Sequence, residues 1–119
     1  MLNVDTHILL FTLLGQLTPR EARIVSHQSL GISAIVLWEI AKLHQKGRIT
    51  LSLENPELIQ LLGQVHVWPL TRDICLKLSD LDFESDPADE LIAATSLVHR
   101  VKLLTRDRRI RASHKVPLA

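Results

Sequence analysis

The sequence has little cysteine, few aromatic residues and no long apolar run. Its single cysteine, Cys75, excludes an internal disulfide framework and favours a reducing compartment, so we expect a cytoplasmic protein. No segment approaches the roughly 20 apolar residues of a membrane-spanning helix, so no membrane association is expected. The opening segment MLNVDTHILL has no basic lead and no small-residue cleavage site, and it predicts a first strand instead of a signal peptide. With two tryptophans, two phenylalanines and no tyrosine, a base-stacking platform for nucleic acid is not expected.

The length of 119 residues suits a single domain over 1–119, with a core that needs no disulfide support. Hydrophobic residues make up 46% of the chain and the mean hydropathy is +0.16, which indicates a surface covered by a partner. The six histidines lack a zinc spacing such as HExxH, and we expect them on the surface or in packing roles. Cys75 is expected to fill the core, and Trp38 and Trp68 are expected to pack or to contact a partner.

Charge is unevenly distributed although the formal net charge is only +1. Residues 80–90 contain acids and no base, whereas residues 100–115 contain many bases and one acid, Asp107. This order suits a metal site followed by a surface for a polyanion. On charge alone, however, the pattern favours two solvated faces. The candidate polyanion-binding residues are Arg106, Arg108, Arg109 and Arg111.

Short apolar runs alternate with segments of helical period, which predicts a parallel sheet covered by helices on both faces. Strands are predicted at 2–4, 30–32, 65–68 and 102–105, with a further candidate at 116–118. Helices are predicted at 7–14, from the capping box Thr18-Pro19-Arg20-Glu21, at 34–46 after a Ser33 cap, at 56–62, at 71–81 and at 86–100. The predicted fold is a three-layer α/β/α sandwich, in which ligands bind outside the carboxyl ends of the strands.

Asp5 and Asp107 follow the first and the fourth predicted strand, so both are expected at this edge of the sheet. Each is also a good candidate for a helix N-cap or turn. Asp86 and Asp89 flank Pro87 at a helix start, where the positive end of the helix would stabilise both. Asp86 fits an N-cap best, whereas Asp89 shares a face with Ile92 and is expected to point inward.

Glu39 is harder to explain by local structure, because its helix neighbours at helical spacing include Ile35, Val36 and Leu43. An unpaired buried carboxylate costs several kcal/mol, so it needs a partner. Lys42 or Lys46 could form a salt bridge with it. A bound hard cation explains the residue better, because oxygen ligands suit magnesium and manganese, and four clustered acids would otherwise repel one another.

Four segments resemble, in order, the blocks of the PIN-domain family, and within it the VapC-type toxins of bacterial toxin–antitoxin pairs. They are VDTHILL, SAIVLWEIAKLHQKGRI, DPADELIAATSL and LLTRDRRI, and together they span nearly the whole chain. The resemblance implies magnesium- or manganese-dependent endoribonuclease activity and inhibition by a cognate antitoxin protein. It places the metal-binding and catalytic acids at Asp5, Glu39, Asp89 and Asp107, and accessory hydroxyls at Thr6, Ser33 and Thr105, each of which could equally be a cap or strand-end hydroxyl.

The third block departs from the DPFDR form that is usual in this subgroup. Ala88 stands in place of the aromatic residue and Glu90 in place of the arginine. An arginine beside the metal acids would balance their charge, so its loss makes the pocket more negative and leaves the support of the third acid in question.

The expected chemistry is metal-assisted phosphodiester hydrolysis, with Asp5 and Asp89 as direct ligands and Glu39 and Asp107 ligating or orienting water. A haloacid-dehalogenase-type phosphotransferase would need a second aspartate where His7 stands. A response-regulator receiver would need a phosphoacceptor aspartate on a central strand. A catalytically degenerate RNA- or partner-binding module would be expected to lack one of the acids. We also expect a homodimer, because the first helix, HILLFTLL, is apolar nearly all round.

Overall fold

A computed structural model describes all residues, 1–119, and its centre is a parallel four-stranded sheet. The strands are β1 (Leu2–Val4), β2 (Leu30–Ser33), β3 (His66–Trp68) and β4 (Lys102–Leu104). Their order across the sheet is β3-β2-β1-β4, and every pairing is parallel. All four carboxyl ends therefore lie along one edge. This confirms the predicted α/β fold class and its strand positions to within a residue or two.

Seven helices surround the sheet. They are α1 (Thr6–Leu14), α2 (Pro19–Ser26), α3 (Ile35–Gln45), α4 (Pro56–Leu62), α5 (Arg72–Lys77), α6 (Pro87–His99) and α7 (Arg108–Arg111), with a 3-10 turn at Leu78–Asp80. No helix is both long enough and apolar enough to cross a membrane.

The capping residues of the sequence set several of these helix boundaries. The predicted capping box forms at α2, where the Thr18 hydroxyl accepts from the Glu21 amide and the Glu21 carboxylate accepts from the Thr18 amide. Asn55 caps α4 and Thr71 caps α5 by the same kind of side-chain acceptor. At the carboxyl end of α1, Gly15 takes a φ of +68°, a conformation that suits glycine.

Both faces of the central strand β1 are buried. The side-chain amide of Asn3 donates to the Ile92 carbonyl and the Ser96 hydroxyl of α6, so Asn3 faces that helix. Leu2 and Val4 point to the opposite face and are fully buried in the main core. The sheet thus lies between two layers, as the alternation of strands and helices predicted.

Close packing also fixes β2 against β3. A Cβ added at Gly31 would lie 2.5 Å from the Trp68 ring, so only glycine fits beneath that indole. Trp68 is buried, stacks on the His99 ring and meets the His66 ring edge-on. Trp68 is therefore a packing residue, one of the two roles predicted for it.

Four local predictions are corrected. The helix predicted at 71–81 breaks into α5 and the 3-10 turn, and the strand predicted at 116–118 is only an isolated bridge between Leu103 and Leu118. Cys75 is exposed on α5 and does not fill the core, because Ile74 is the residue of that helix that turns inward. The Ser33 hydroxyl does not cap α3. It accepts from the amide of Ile35 two residues on, and α3 begins after Ala34 without a side-chain cap.

Candidate metal centre and the cleft at the sheet edge

Asp5 is the most buried of the candidate acids. It follows β1 and caps α1, with Oδ1 accepting from the Ile8 amide at 2.9 Å. Oδ2 accepts a hydrogen bond of 2.5 Å from the Thr105 hydroxyl, which lies next to it because β1 pairs with β4. Burial raises the pKa of Asp5, and the two hydrogen bonds oppose that rise. Both predicted roles of Asp5, helix cap and strand-end carboxylate, are thus met by one side chain.

Asp89 is half-buried at the third position of α6 and accepts from the Ser85 hydroxyl at 3.1 Å. Its pKa is raised to about 6, first by burial and then by the negative charges of Glu39, Asp107 and Asp5, while the Ser85 bond opposes the rise. The inward orientation predicted for Asp89 is therefore confirmed. The charges of all three other candidate acids act on its carboxylate.

Asp107 caps the short helix α7, where its carboxylate accepts from the Ile110 amide at 3.1 Å. Thr105 supports it from behind, since the same hydroxyl accepts from the Asp107 amide. The Thr105 hydroxyl therefore links Asp5, which follows β1, to Asp107, which follows β4. This fits the accessory position predicted for Thr105.

Glu39 lies on α3 but is only half-buried, because the buried face of that helix is formed by Val36 and Ile40. Neither Lys42 nor Lys46 pairs with it; the molecule's only ion pairs are Lys77–Asp80 and Arg106–Glu21. Its carboxylate instead accepts a 2.5 Å hydrogen bond from the Thr6 hydroxyl. The prediction that Glu39 lies on the buried apolar face of this helix is thus wrong, and the Thr6 hydroxyl lies beside it.

Two adjacent depressions meet at this edge of the sheet. The first, of about 420 Å³, is called the acidic cleft; its lining residues are Asp5, His7, Phe11, Asp86, Asp89, Arg106 and Asp107. The second, of about 390 Å³, is called the side groove and contains Trp38, Glu39 and Leu43 beside three cations, Lys42, Lys46 and Arg48. His7 and Asp86 line both. The acidic cleft thus unites three of the four candidate acids, and Glu39 stands in the neighbouring groove.

The remaining candidates differ in what they contact. Asp86 is the N-cap residue of α6, as predicted, but its exposed side chain makes no capping hydrogen bond. Ser33 is buried at the end of β2 and hydrogen-bonds none of the acids. Arg109 donates to the Glu84 carbonyl and Arg111 to the carbonyls of Thr105 and Ala119. Arg108 is exposed, and its side chain makes no hydrogen bond within the chain.

The donor set of the acidic cleft suits a hard divalent cation, since it consists of carboxylate oxygens with a raised pKa at Asp5 and Asp89. No three aspartate, glutamate, histidine or cysteine side chains are close enough together to hold one ion as a group. An ion bound here would accordingly take one or two carboxylates and complete its shell with water, which is the usual habit of magnesium.

The sequence profile described as PIN domain matches residues 3–115. This chain belongs to the PIN domain family. Over 92 residues the chain is 36% identical to Ribonuclease VapC22 of Mycobacterium tuberculosis, and the match covers 74% of this chain and 69% of that protein.

Solved PIN-like structures share the fold. A chain of the VapBC2 structure from Rickettsia felis, bound to a DNA fragment from its promoter, superposes with a TM-score of 0.76 at 15% identity, covering 100% of this chain and 98% of that one. A chain of a toxin–antitoxin complex from Klebsiella pneumoniae gives a TM-score of 0.71 at 21% identity, covering 94% and 91%. The PIN-domain resemblance inferred from four sequence blocks is therefore confirmed, and this chain is similar to VapC-type members of the family.

Three residues at or beside the cleft were not predicted from the sequence as parts of the site. His7 lines the cleft, although the histidines were expected only on the surface or in packing roles. Phe11 was expected only in an apolar helix, and Glu21, which contacts Arg106 from outside the cleft, was seen only as a capping-box residue. Glu21 and Arg106 are 85 residues apart, and neither residue carries a local signal for the other.

Proposed function

We propose that this PIN-domain protein is a magnesium- or manganese-dependent endoribonuclease, the toxin of a toxin–antitoxin pair. The convergence of Asp5, Asp89 and Asp107 on one cleft at the carboxyl edge of the sheet carries the proposal. The 36% identity to a protein named a ribonuclease supports RNA as the substrate. The single domain proposed here spans 1–119.

Asp5 and Asp89 are proposed as direct metal ligands, with Glu39 and Asp107 ligating or orienting water. When bound, the cation supplies Lewis-acid activation of water and of the scissile phosphate near neutral pH. The chain's own contribution is orientation: Thr105 holds one oxygen of Asp5, and the Ile8 amide holds the other. Ser85 in turn fixes one oxygen of Asp89. Each acid thus keeps lone pairs free while its side-chain rotamer is restricted.

A cognate antitoxin is the second proposed partner. The side groove supports this, because the half-exposed indole of Trp38 and the Leu43 side chain give a neighbouring peptide an apolar anchor beside Glu39. A basic antitoxin side chain placed against Asp5, Glu39 and Asp89 would replace the charge of the metal and exclude it.

The proposal is tested with Asp5→Asn. Asparagine keeps an oxygen to cap α1, so we expect the fold to be retained while RNA cleavage in magnesium or manganese is lost. Because burial raises the pKa of Asp5, removing its charge should leave the melting temperature at neutral pH equal to or above that of the wild type. A thermal melt and a cleavage assay on an RNA oligonucleotide measure both properties, with Asp73→Asn on exposed α5 as the matched control. Full activity of a folded Asp5→Asn protein would remove Asp5 from the site.

A further inference from the structure

Arg106 is the only arginine or lysine in the acidic cleft, which otherwise carries the carboxylates of Asp5, Asp86, Asp89 and Asp107. It directly follows Thr105, the residue whose hydroxyl holds Asp5. An RNA phosphate that approaches this cleft meets repulsion from every carboxylate and attraction from this one guanidinium. Arg106 therefore differs from the arginines of α7, because it lies among the candidate acids.

The guanidinium is held on one edge by a buried carboxylate. Nε donates to Oε2 of Glu21 at 2.8 Å, and Nη2 donates to Oε1 at 2.7 Å and to the Gln16 carbonyl at 3.1 Å. The ring of Phe11 packs against the same group, 4.1 Å from its central carbon. Two parallel hydrogen bonds and an aromatic face together fix the plane of the guanidinium, not merely its charge.

The other end of this guanidinium has no protein partner. An arginine has five N–H donors, and the three on Nε and Nη2 are used, which leaves both N–H groups of Nη1 without an acceptor in the chain. The Glu21 side chain is only 8% exposed while that of Arg106 is 41% exposed. The carboxylate is therefore the fixed support, and the arginine presents its free donors to solvent at the cleft.

We propose that Arg106 is a preorganised phosphate-binding residue of the cleft and that Glu21 is its positioning residue. The inference rests on the proposed ribonuclease function and adds one contact to it: Nη1 donates to a non-bridging oxygen of the RNA phosphate beside the acids. A guanidinium that is held in place before the RNA binds loses no conformational entropy on binding. Its N–H groups therefore stabilise the phosphate in the geometry of the reaction.

The experiment combines binding and turnover. Binding of a fluorescent RNA oligonucleotide is measured without metal over a range of salt concentrations, and cleavage of the same oligonucleotide is measured with manganese. Arg106→Gln should lower kcat/KM ten- to a hundredfold and reduce the salt slope of binding by about 0.7, the value of one phosphate contact on a single strand. Arg106→Lys should keep the salt slope but recover little of kcat, because lysine cannot make the bidentate contact with Glu21.

Glu21→Gln separates positioning from fold. Glutamine keeps the oxygen that accepts from the Thr18 amide but loses the charge that anchors Arg106. We expect kcat to fall about tenfold while KM changes little, since the loss of one negative charge favours binding of a polyanion and offsets the cost of ordering Arg106. A purely structural role would lower the melting temperature and leave kcat unchanged well below it.

Arg23→Gln is the matched control. Arg23 is an exposed arginine on the same helix as Glu21, beside Lys102 at the opposite edge of the sheet. If the wild type cleaves RNA and Arg106→Gln is as active as this control to within twofold, the inference about Arg106 is overturned. The proposed ribonuclease function then still stands. A wild-type protein that neither binds nor cleaves the oligonucleotide overturns the proposed function, and the inference with it.

Discussion

The charged form of Asp89 carries an electrostatic cost that the hydrogen bond from Ser85 only partly offsets. Its pKa in the folded chain is about 6 against an ordinary 3.8, so the folded state holds the proton more tightly than the unfolded chain does. This group therefore destabilises the fold at neutral pH, and the penalty disappears as the pH falls from above 6 to below 3.8. The full shift corresponds to about 3 kcal/mol, and partial solvent exposure reduces the expected effect to about 1 to 2 kcal/mol.

Asp89→Asn should consequently raise the melting temperature of the metal-free protein by about 3 to 8 °C at pH 7.5 and by almost nothing at pH 4. Asparagine still accepts from Ser85, so the local hydrogen bond survives. Manganese should stabilise the wild type by mass action at pH 7.5 and stabilise the variant less. The control is Glu54→Gln, which is exposed and remote from the cleft. An equal gain at both pH values would show that the charge of Asp89 is not the cause.

The ionisation of Glu21 has the opposite effect on stability from that of Asp89. The hydrogen bonds from Arg106 lower its pKa to about 2 from an ordinary 4.5, against the effect of burial. Its contribution to stability is present above pH 4.5 and is lost as the pH falls toward 2. The pair therefore stays intact at pH 4, where Asp89 is neutral, and the Arg106 anchor does not disturb the Asp89 measurement.

Single residues differ in how well the sequence predicts them. Asp5 and Asp107 were predictable because each follows a strand in a parallel sheet, and such strands end at one edge. Glu39 was placed too deep, since the helical period allows a rotation of about one residue and the structure turns Val36 and Ile40 inward. The pairing of Arg106 with Glu21 was not predictable, because a contact across 85 residues depends on how α2 docks beside β4.

At the scale of whole elements, caps decided what could be predicted. The capping box fixed the start of α2, and proline fixed the starts of α4 and α6. Helix α7 has four residues, which is too few to show a helical period, so the sequence indicated only a turn after Asp107. The same brevity brings its three arginines together on a single turn.

These arginines should not contribute equally to RNA binding. Arg111 donates to the Thr105 and Ala119 carbonyls and so connects residue 119 to the segment that follows β4. The exposed side chain of Arg108 makes no hydrogen bond within the chain. We expect Arg108→Ala to reduce the salt slope of RNA binding by about 0.7 with an unchanged melting temperature. Arg111→Ala should lower the melting temperature by a few degrees. Salt titrations and thermal melts measure the two effects, and Arg23→Ala again serves as the control. A stable Arg108→Ala protein with the wild-type slope would place the RNA path away from α7.

At the scale of the molecule, the surface retains large apolar side chains. Helix α1 was expected to need a second chain to cover its apolar side chains. Three of them, Ile8, Leu9 and Leu10, are instead buried in the chain's own core. Leu14 at the end of this helix is 58% exposed, and Ile59 on the adjoining α4 is 55% exposed. Folding of one chain thus covers most of α1 and leaves its carboxyl end apolar and open.

We therefore expect a homodimer whose interface includes the end of α1. Each large apolar side chain buried there would contribute about 1.5 to 3 kcal/mol, so a few of them on each copy favour association. Light scattering at tens of micromolar should give twice the mass of one chain, and Leu14→Glu should give a monomer that melts as the wild type does. Leu70→Glu, at an exposed leucine beyond β3, is the matched substitution and should remain dimeric. A wild-type monomer at this concentration would contradict the homodimer. A dimer that persists in Leu14→Glu but dissociates in Leu70→Glu would place the interface beside β3 instead of at the end of α1.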